Sequence, residues 1–185
     1  SRVTHVILDE ADQMLDIGFL PAIKRIFSLL PKNKQTLLFS ATMPKEIKKL
    51  SNDYLNNPDE VAVTPESRPA EKVIQQVVFL TNSEKLNALQ DLLTRRQKKR
   101  ILVFSRTKHG ADKVVKTLTN AGLSLNAIHG NKSQTQRQLA LENFKRGKCF
   151  VLIATDIAAR GIDVRGVELV VNYDLPDVPE TYVHR

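Results

Sequence analysis

The sequence predicts an α/β protein built on parallel strands, and three observations carry that expectation. Short apolar runs, such as Ile101-Leu102-Val103-Phe104 and Val151-Leu152-Ile153-Ala154, alternate with stretches whose apolar residues recur at helical spacing. Phe150 to Ala154 and Val167 to Val171 show almost no polar alternation, as expected of strands covered on both faces. Strand–helix–strand units of this length return each strand in the same direction through a crossover helix, which makes the sheet parallel.

The elements follow in order. Val3 to Leu8 reads as a strand, and Leu20, Ile23, Phe27 and Leu30 mark one face of a helix that Pro31 stops. Thr36 to Phe39 reads as a second strand. Pro44 opens a helix carrying Ile47, Leu50 and Tyr54, since proline is tolerated in a first turn. Val61 to Val63 reads as a third strand. From Thr64 to Glu71 two prolines and several charges break the rhythm, which predicts a linker over 65–71 between a first domain, 1–64, and a second, 72–185.

Beyond the linker, Val77 to Leu80 reads as a strand, and Ser83 begins a helix with Leu86, Leu89 and Leu93 inward. Ile101 to Phe104 is the next strand. The following helix turns Ala111, Val114, Val115 and Leu118 inward, and Gly122 stands where a cap glycine belongs. Leu125 to Ile128 is a strand, and Ser133 with Gln136 three residues on is a capping-box signal for a helix ending near Gly147.

Composition narrows the class. The 185 residues are 42% hydrophobic and 26% charged, which excludes disordered and low-complexity chains. No apolar run approaches the ~20 residues of a membrane span, so no membrane partner is expected. The single cysteine, Cys149, closes no internal disulfide and has no CxxC partner, which points to a reducing, cytoplasmic compartment. With 28 Lys+Arg against 20 Asp+Glu the net charge is +8, which suits a polyanionic partner. The chain starts at Ser1, without methionine, and stops just after a helix-like opening, so it is expected to be a piece of something longer.

Three motifs stand at predicted strand ends, where open α/β sheets bind ligands. Asp9-Glu10-Ala11-Asp12 follows Val6-Ile7-Leu8. One such carboxylate can hold Mg²⁺ through waters while its neighbour orients an attacking water. Ser40-Ala41-Thr42 follows the next strand and places hydroxyls beside it. Thr155-Asp156-Ile157-Ala158-Ala159-Arg160-Gly161-Ile162-Asp163 follows the most apolar strand with a hydroxyl, carboxylates, an arginine and a glycine. His5, His109 and His129 are scattered without metal-ligand spacing and read as structural. Arg95-Arg96-Gln97-Lys98-Lys99-Arg100 reads most simply as a solvated helix end and turn, with RNA contact as the lesser alternative.

Taken together, and running to Tyr182-Val183-His184-Arg185, these motifs resemble the DEAD-box family of ATP-dependent RNA helicases. The wording Ile128-His129-Gly130-Asn131-Lys132-Ser133-Gln134 is similar to the bacterial RhlE-like branch. The resemblance implies two RecA-like domains, the first only partly present, that close on ATP, Mg²⁺ and one RNA strand and so unwind short duplexes. It implies that Asp9 holds Mg²⁺ through water and that Glu10 positions the hydrolytic water. Asp12 would tie to Ser40, Thr42 and His184, Arg160 would bridge to the acids, Gly161 would approach the γ-phosphate, and Asp163 would reach the ribose. Thr107, Gln134, Arg137 and Thr155 would contact RNA. Hydroxyls, helix starts and a guanidinium suit phosphate oxygens, which carry no base information.

The chain departs from the family at both ends. None of Gly18, Gly110, Gly122, Gly130, Gly147, Gly161 and Gly166 falls in a G-x-x-x-x-G-K-[ST] loop, so the cradle for the β- and γ-phosphates is missing. The family's two further arginines after His184-Arg185 are also missing. The chain alone is therefore expected to be inactive as an ATPase. Its first part is expected to be aggregation-prone, and 72–185 better protected. Two other functions stay open: a passive nucleic-acid-binding module, and a DNA helicase or translocase of the same superfamily.

Overall fold

The computed structural model describes residues 2–16, 18–62, 73–159, 162 and 164–185. The chain divides into two compact units, residues 1–71 and 72–185. The expected linker and the predicted roles of Arg160, Gly161 and Asp163 lie outside the described residues.

The first unit holds β1 (His5–Leu8), α1 (Ala11–Asp16), α2 (Leu20–Leu29), β2 (Gln35–Leu38) and α3 (Lys45–Tyr54). The strands pair in parallel, with His5 opposite Gln35 and Leu8 opposite Leu38. Helix α2 turns Ile23 and Phe27 inward and α3 turns Ile47 and Leu50 inward, so the helical spacing converts directly into a core with Leu8 and Ala11. The Phe27 and Tyr54 rings pack 4.1 Å apart between centroids, tying α2 to α3. Pro44 stands one residue before α3, as its cap. The third strand expected at Val61–Val63 does not form over its described part: Val61 and Ala62 belong to no strand and Val61 is 90% exposed. Val63 lies outside the described residues.

The second unit holds α4 (Lys85–Arg95), β3 (Ile101–Phe104), α5 (Lys108–Asn120), β4 (Leu125–Ile128), α6 (Gln134–Lys145), β5 (Val151–Ala154), α7 (Asp156–Ala159), β6 (Leu169–Asn172) and α8 (Pro179–His184). Its four strands are parallel in the order β4-β5-β3-β6. All four residues of β5 are buried because helices cover both faces. Val151 and Ile153 join Leu89, Leu93, Val114 and Leu118 of α4 and α5 on one side. Leu152 joins Ala140, Phe144 and Ala158 of α6 and α7 on the other. Alternate residues of a strand face opposite ways, so an unbroken apolar run serves two cores. Helix α5 ends where expected: Gly122, at φ +85°, lets the Leu123 amide reach the Leu118 carbonyl at 3.0 Å.

Two strand expectations need correction. Val77–Leu80 is extended but belongs to no sheet among the described residues, and Val77, Val78 and Phe79 are 75%, 71% and 94% exposed. Branched and aromatic residues favour an extended backbone, but a strand also needs a partner backbone. The last strand begins at Leu169 rather than Val167 and lies at the sheet edge with Val170 39% exposed, so it is not covered on both faces. The helix expected from Ser83 starts at Lys85, because Glu84 bonds the Thr81 amide and hydroxyl at 2.8 and 2.6 Å and holds a separate turn ahead of it. Among the described residues no helix is long and apolar enough to cross a membrane.

Candidate functional site

The acidic motif is built at the junction of β1 and α1. Glu10 occupies the left-handed region at φ 52°, which costs a residue with a Cβ roughly 1–2 kcal/mol. Its amide is held by Asp9 Oδ1 at 2.9 Å, a local bond that supports the bend. Asp9 and Glu10 are left exposed, whereas the bend carries Asp12 into the first turn of α1, where it is 6% exposed. The structure thus separates two outward acids, Asp9 and Glu10, from one inward acid, Asp12.

Asp12 is a clasp between the ends of β1 and β2. Its Oδ2 accepts from the Thr42 amide and from Thr42 Oγ1, both at 2.8 Å, and its Oδ1 accepts from the Gln13 amide at 3.0 Å. The Asp12 amide donates to Ser40 Oγ at 3.1 Å, and that hydroxyl donates to the Thr42 carbonyl at 2.7 Å. Burial pushes the Asp12 carboxyl upward, but the donors from Thr42 and Gln13 outweigh it and hold the group below the usual carboxylate range. The structure therefore brings Asp12, Ser40 and Thr42 together. His184, exposed on α8, belongs to the other unit.

Asp9 and Glu10 fit a magnesium ion held through its waters, which needs one or two carboxylates and not a protein cage. Among the described residues no group of three or more His, Cys, Asp or Glu could enclose a metal. A bound Mg²⁺ would neutralise phosphate charge there. The chain supplies no backbone cradle for a triphosphate, since it has no G-x-x-x-x-G-K-[ST] sequence.

In the second unit the strands are parallel, so the residues that follow β3, β4 and β5 share one end of the sheet. Thr107, Gln134, Arg137 and Thr155 all arrive there. Thr107 caps α5, its hydroxyl oxygen accepting from the Gly110 amide at 3.0 Å, so its proton stays available to donate. Gly110 is required for this approach: a Cβ there would lie 2.9 Å from Ser105 Oγ and 3.0 Å from Thr107 Oγ1. Ser133 and Gln136 form the expected capping box, which starts α6 at Gln134. One turn on, Arg137 Nη1 donates to Gln134 Oε1 at 3.3 Å, while its Nε is buried with no hydrogen-bond partner among the described residues. An unsatisfied buried donor is costly. Thr155 closes β5, its amide donating to the Ile128 carbonyl at 3.2 Å.

Two supporting networks escaped sequence reading. His129, fully buried, bonds Asp112 Oδ1 through Nε2 at 2.9 Å, and its Nδ1 accepts from the Asn131 amide at 3.3 Å. Lys132 reaches the same carboxylate oxygen at 2.9 Å, and Lys108 reaches Asn131 Oδ1 at 3.0 Å. These bonds brace the start of α5 against the loop before α6, which bears out the structural reading of His129. Burial raises Asp112, but Lys132 and His129 more than reverse it, leaving the carboxyl below its ordinary value.

The second network is centred on Arg185. Its side chain is 3% exposed and makes a two-pronged bond to Asp156, Nε to Oδ1 at 2.6 Å and Nη2 to Oδ2 at 2.8 Å. Nη1 reaches Asn172 Oδ1 at 2.8 Å and the Asp174 carbonyl at 2.7 Å, and the guanidinium lies 4.8 Å from the Phe104 ring centroid. The pair joins residues 29 apart, and the available signal was only that Arg185 adjoins the singled-out His184.

Comparison with known proteins follows the same division. Residues 1–50 match the DEAD/DEAH box helicase model, and residues 84–185 match the helicase conserved C-terminal domain. The chain is 44% identical over 188 residues to "ATP-dependent RNA helicase DBP2" of Meyerozyma guilliermondii, covering 100% of this chain and 34% of that protein. It is 46% identical over 186 residues to "DEAD-box ATP-dependent RNA helicase 20" of Oryza sativa subsp. japonica, covering 100% of this chain and 38% of that protein. The chain thus spans little more than a third of the length of these curated relatives. Among solved structures, S. cerevisiae Dbp5 bound to RNA and ADP BeF3 superposes with a TM-score of 0.87 at 30% identity, over 100% of this chain and 49% of that one. A DEAD box protein from the hyperthermophile Methanococcus jannaschii gives 0.60 at 39% identity, over 99% and 49%. With parallel sheets in both units and both helicase models matched in chain order, this chain belongs to the DEAD-box RNA helicase family.

Proposed function

We propose that this chain supplies the water- and magnesium-handling acids and the second-domain strand grip of an ATP-dependent RNA helicase that unwinds short duplexes by closing two domains on one strand. Residues 1–64 serve as the C-terminal half of the first RecA-like domain, and 72–185 as most of the second. The observation that carries this reading is the convergence of Thr107, Gln134, Arg137 and Thr155 on one sheet end, with Arg137 Nε buried and unpartnered. Hydroxyl and guanidinium donors set at helix starts suit a phosphate backbone and give binding without sequence preference.

On the nucleotide side, Asp9 would hold the metal's waters, and Glu10 would orient the attacking water and take its proton. Asp12 keeps the Ser40-Ala41-Thr42 turn in place, and by resemblance His184 would be the residue that couples this turn to domain closure. The resemblance to the family gives Arg160 the role of partner to the acids, Gly161 that of γ-phosphate neighbour and Asp163 that of ribose contact, and these roles are part of the proposal. Mg²⁺, when bound, supplies charge neutralisation on the phosphates. The branch assignment to the bacterial RhlE-like proteins rests on the wording of residues 128–134, while the relatives named above are fungal and plant proteins. The cytoplasm is the compartment that suits one buried, unpaired cysteine.

The test compares RNA and DNA strands of one sequence for binding to the full chain, and measures ATP hydrolysis with and without RNA. Salt-sensitive binding that favours RNA and is weakened by Arg137→Ala is expected, with no hydrolysis by the chain alone. Equal affinity for DNA would favour the translocase alternative. RNA-stimulated hydrolysis by these 185 residues would overturn the need for a phosphate loop.

A further inference from the structure

Parallel strands give the second unit two chemically distinct ends. The residues discussed above follow the strands. The opposite end is formed where chain enters them: residues 96–100 before β3, 146–150 before β5 and 164–168 before β6. At this entry end Arg100, Lys145, Val164 and Arg165 line a cavity of about 290 Å³. Arg100 is half-buried and fixed in place, its Nη1 donating to the Arg165 carbonyl at 2.8 Å. A guanidinium has five N–H donors, so most of this one remains available. Gly166, at φ +79°, permits the arrangement, since a Cβ there would stand 3.3 Å from Arg100 Nη1.

Lys145 and Arg165 are exposed and form no ion pair with any described residue. Glu168 on the neighbouring turn is engaged by Lys99 and lies within the field of Arg100. Arg100 just before β3, Lys145 at the end of α6 and Arg165 before β6 set three cations around one hollow; Glu168 answers Lys99 and part of Arg100, and among the described residues Lys145 and Arg165 keep their charge unanswered.

We propose that this pocket is a second, sequence-independent contact for nucleic-acid backbone phosphates, engaging RNA that continues beyond the segment gripped at the other end of the sheet. The proposal rests on RNA being the strand bound at that other end. The chemistry recognised is the phosphate oxyanion, reached by an oriented guanidinium and two mobile cations, with no base-reading group required. Four-residue strands rise about 13 Å, so one strand of sufficient length can touch both ends of the unit. The basic run 95–100, read from sequence as a solvated helix end, thereby gains a partner through Arg100.

The experiment uses the full chain, a fluorescent RNA strand of about 30 nucleotides and one of about 6, and binding measured across a salt series. The variants are Lys145→Gln/Arg165→Gln, Lys145→Glu/Arg165→Glu and Arg137→Ala, and amide exchange at 98–100 and 145–148 is followed with and without RNA. For the long strand, the Gln pair is expected to reduce the slope of log K against log salt by about 1.4, roughly 0.7 per lost phosphate contact. The Glu pair weakens binding further, the short strand is indifferent to both pairs, and the long strand protects those amides. Unchanged long-strand affinity and slope in both pairs, while Arg137→Ala still weakens binding, would overturn this proposal and leave the first site standing. Weakening by the pairs with no effect of Arg137→Ala would support this contact and remove only Arg137 from the grip at the other end of the sheet. Protection by inorganic tripolyphosphate but not by RNA would overturn RNA as the occupant.

Discussion

Removing the Arg185 guanidinium tests how the end of the second unit is held. Arg185→Ala deletes four hydrogen bonds, two of them to Asp156, together with the contact to the Phe104 ring. It leaves a carboxylate that is 30% exposed, along with an amide oxygen and a carbonyl that lose their donor. Breaking a buried ion pair costs about 3–5 kcal/mol; because Asp156 reaches water, the lower end applies, about 3 kcal/mol or roughly a hundredfold in the unfolding equilibrium. Arg185→Lys should recover little, because an ammonium cannot present two parallel donors to one carboxylate while bonding Asn172. The Asp156→Ala/Arg185→Ala double variant should cost less than the two singles added, with an interaction of about 1–3 kcal/mol. Urea unfolding followed by amide exchange in β5, α7 and β6 gives these values. A cost below about 1 kcal/mol for Arg185→Ala, or strict additivity in the double variant, would falsify the clamp.

Three further outcomes follow from the geometry. The carboxyls of Asp12, Asp112 and Asp174 are all held below their ordinary values, so they bind protons more weakly folded than unfolded. Their contribution is complete above the unfolded carboxylate range, about pH 4, and is lost as pH falls through the folded values. Asp12→Asn should therefore flatten the acid-induced loss of the first unit, measured by exchange in β1 and β2 below pH 4. In the first unit a two-stranded sheet leaves Ile7 60% and Phe39 53% exposed, whereas β5 of the second is fully buried; exchange should be slower in β3 and β5 than in β1 and β2, and equal protection would contradict this. Burial pushes the Cys149 thiol up and its side chain is enclosed, so an alkylating reagent at pH 8 should modify it at the rate of unfolding and not at that of a free thiol.

What sequence could show tracks what depends on local pattern. Strands β3 and β5 were legible because burial on both faces forces an unbroken apolar run, and the α6 start because Ser133 and Gln136 satisfy each other's amides within four residues. The Val77–Leu80 error has the opposite cause: those residues favour an extended chain, but pairing is a long-range fact. The candidate site divides in the same way. Asp12, Ser40 and Thr42 were named from motifs, but that Asp12 faces inward while Asp9 and Glu10 face out depends on the Glu10 backbone, which no spacing reveals. Arg185 with Asp156, and Asp112 with His129, join residues 29 and 17 apart through tertiary packing, and neither pair leaves a periodic trace.

The positive φ of Glu10 sets two demands against each other at one position. Glycine would make the turn with least strain but would carry no acid, while a β-branched residue would resist the turn and lose the acid as well. On the role proposed for Glu10 the position has very few workable occupants, and the residue best for folding would lack the acid. Glu10→Gly should give a chain at least as robust as the parent and silent in any reaction that needs this carboxylate, so robustness and competence can be pulled apart by one codon.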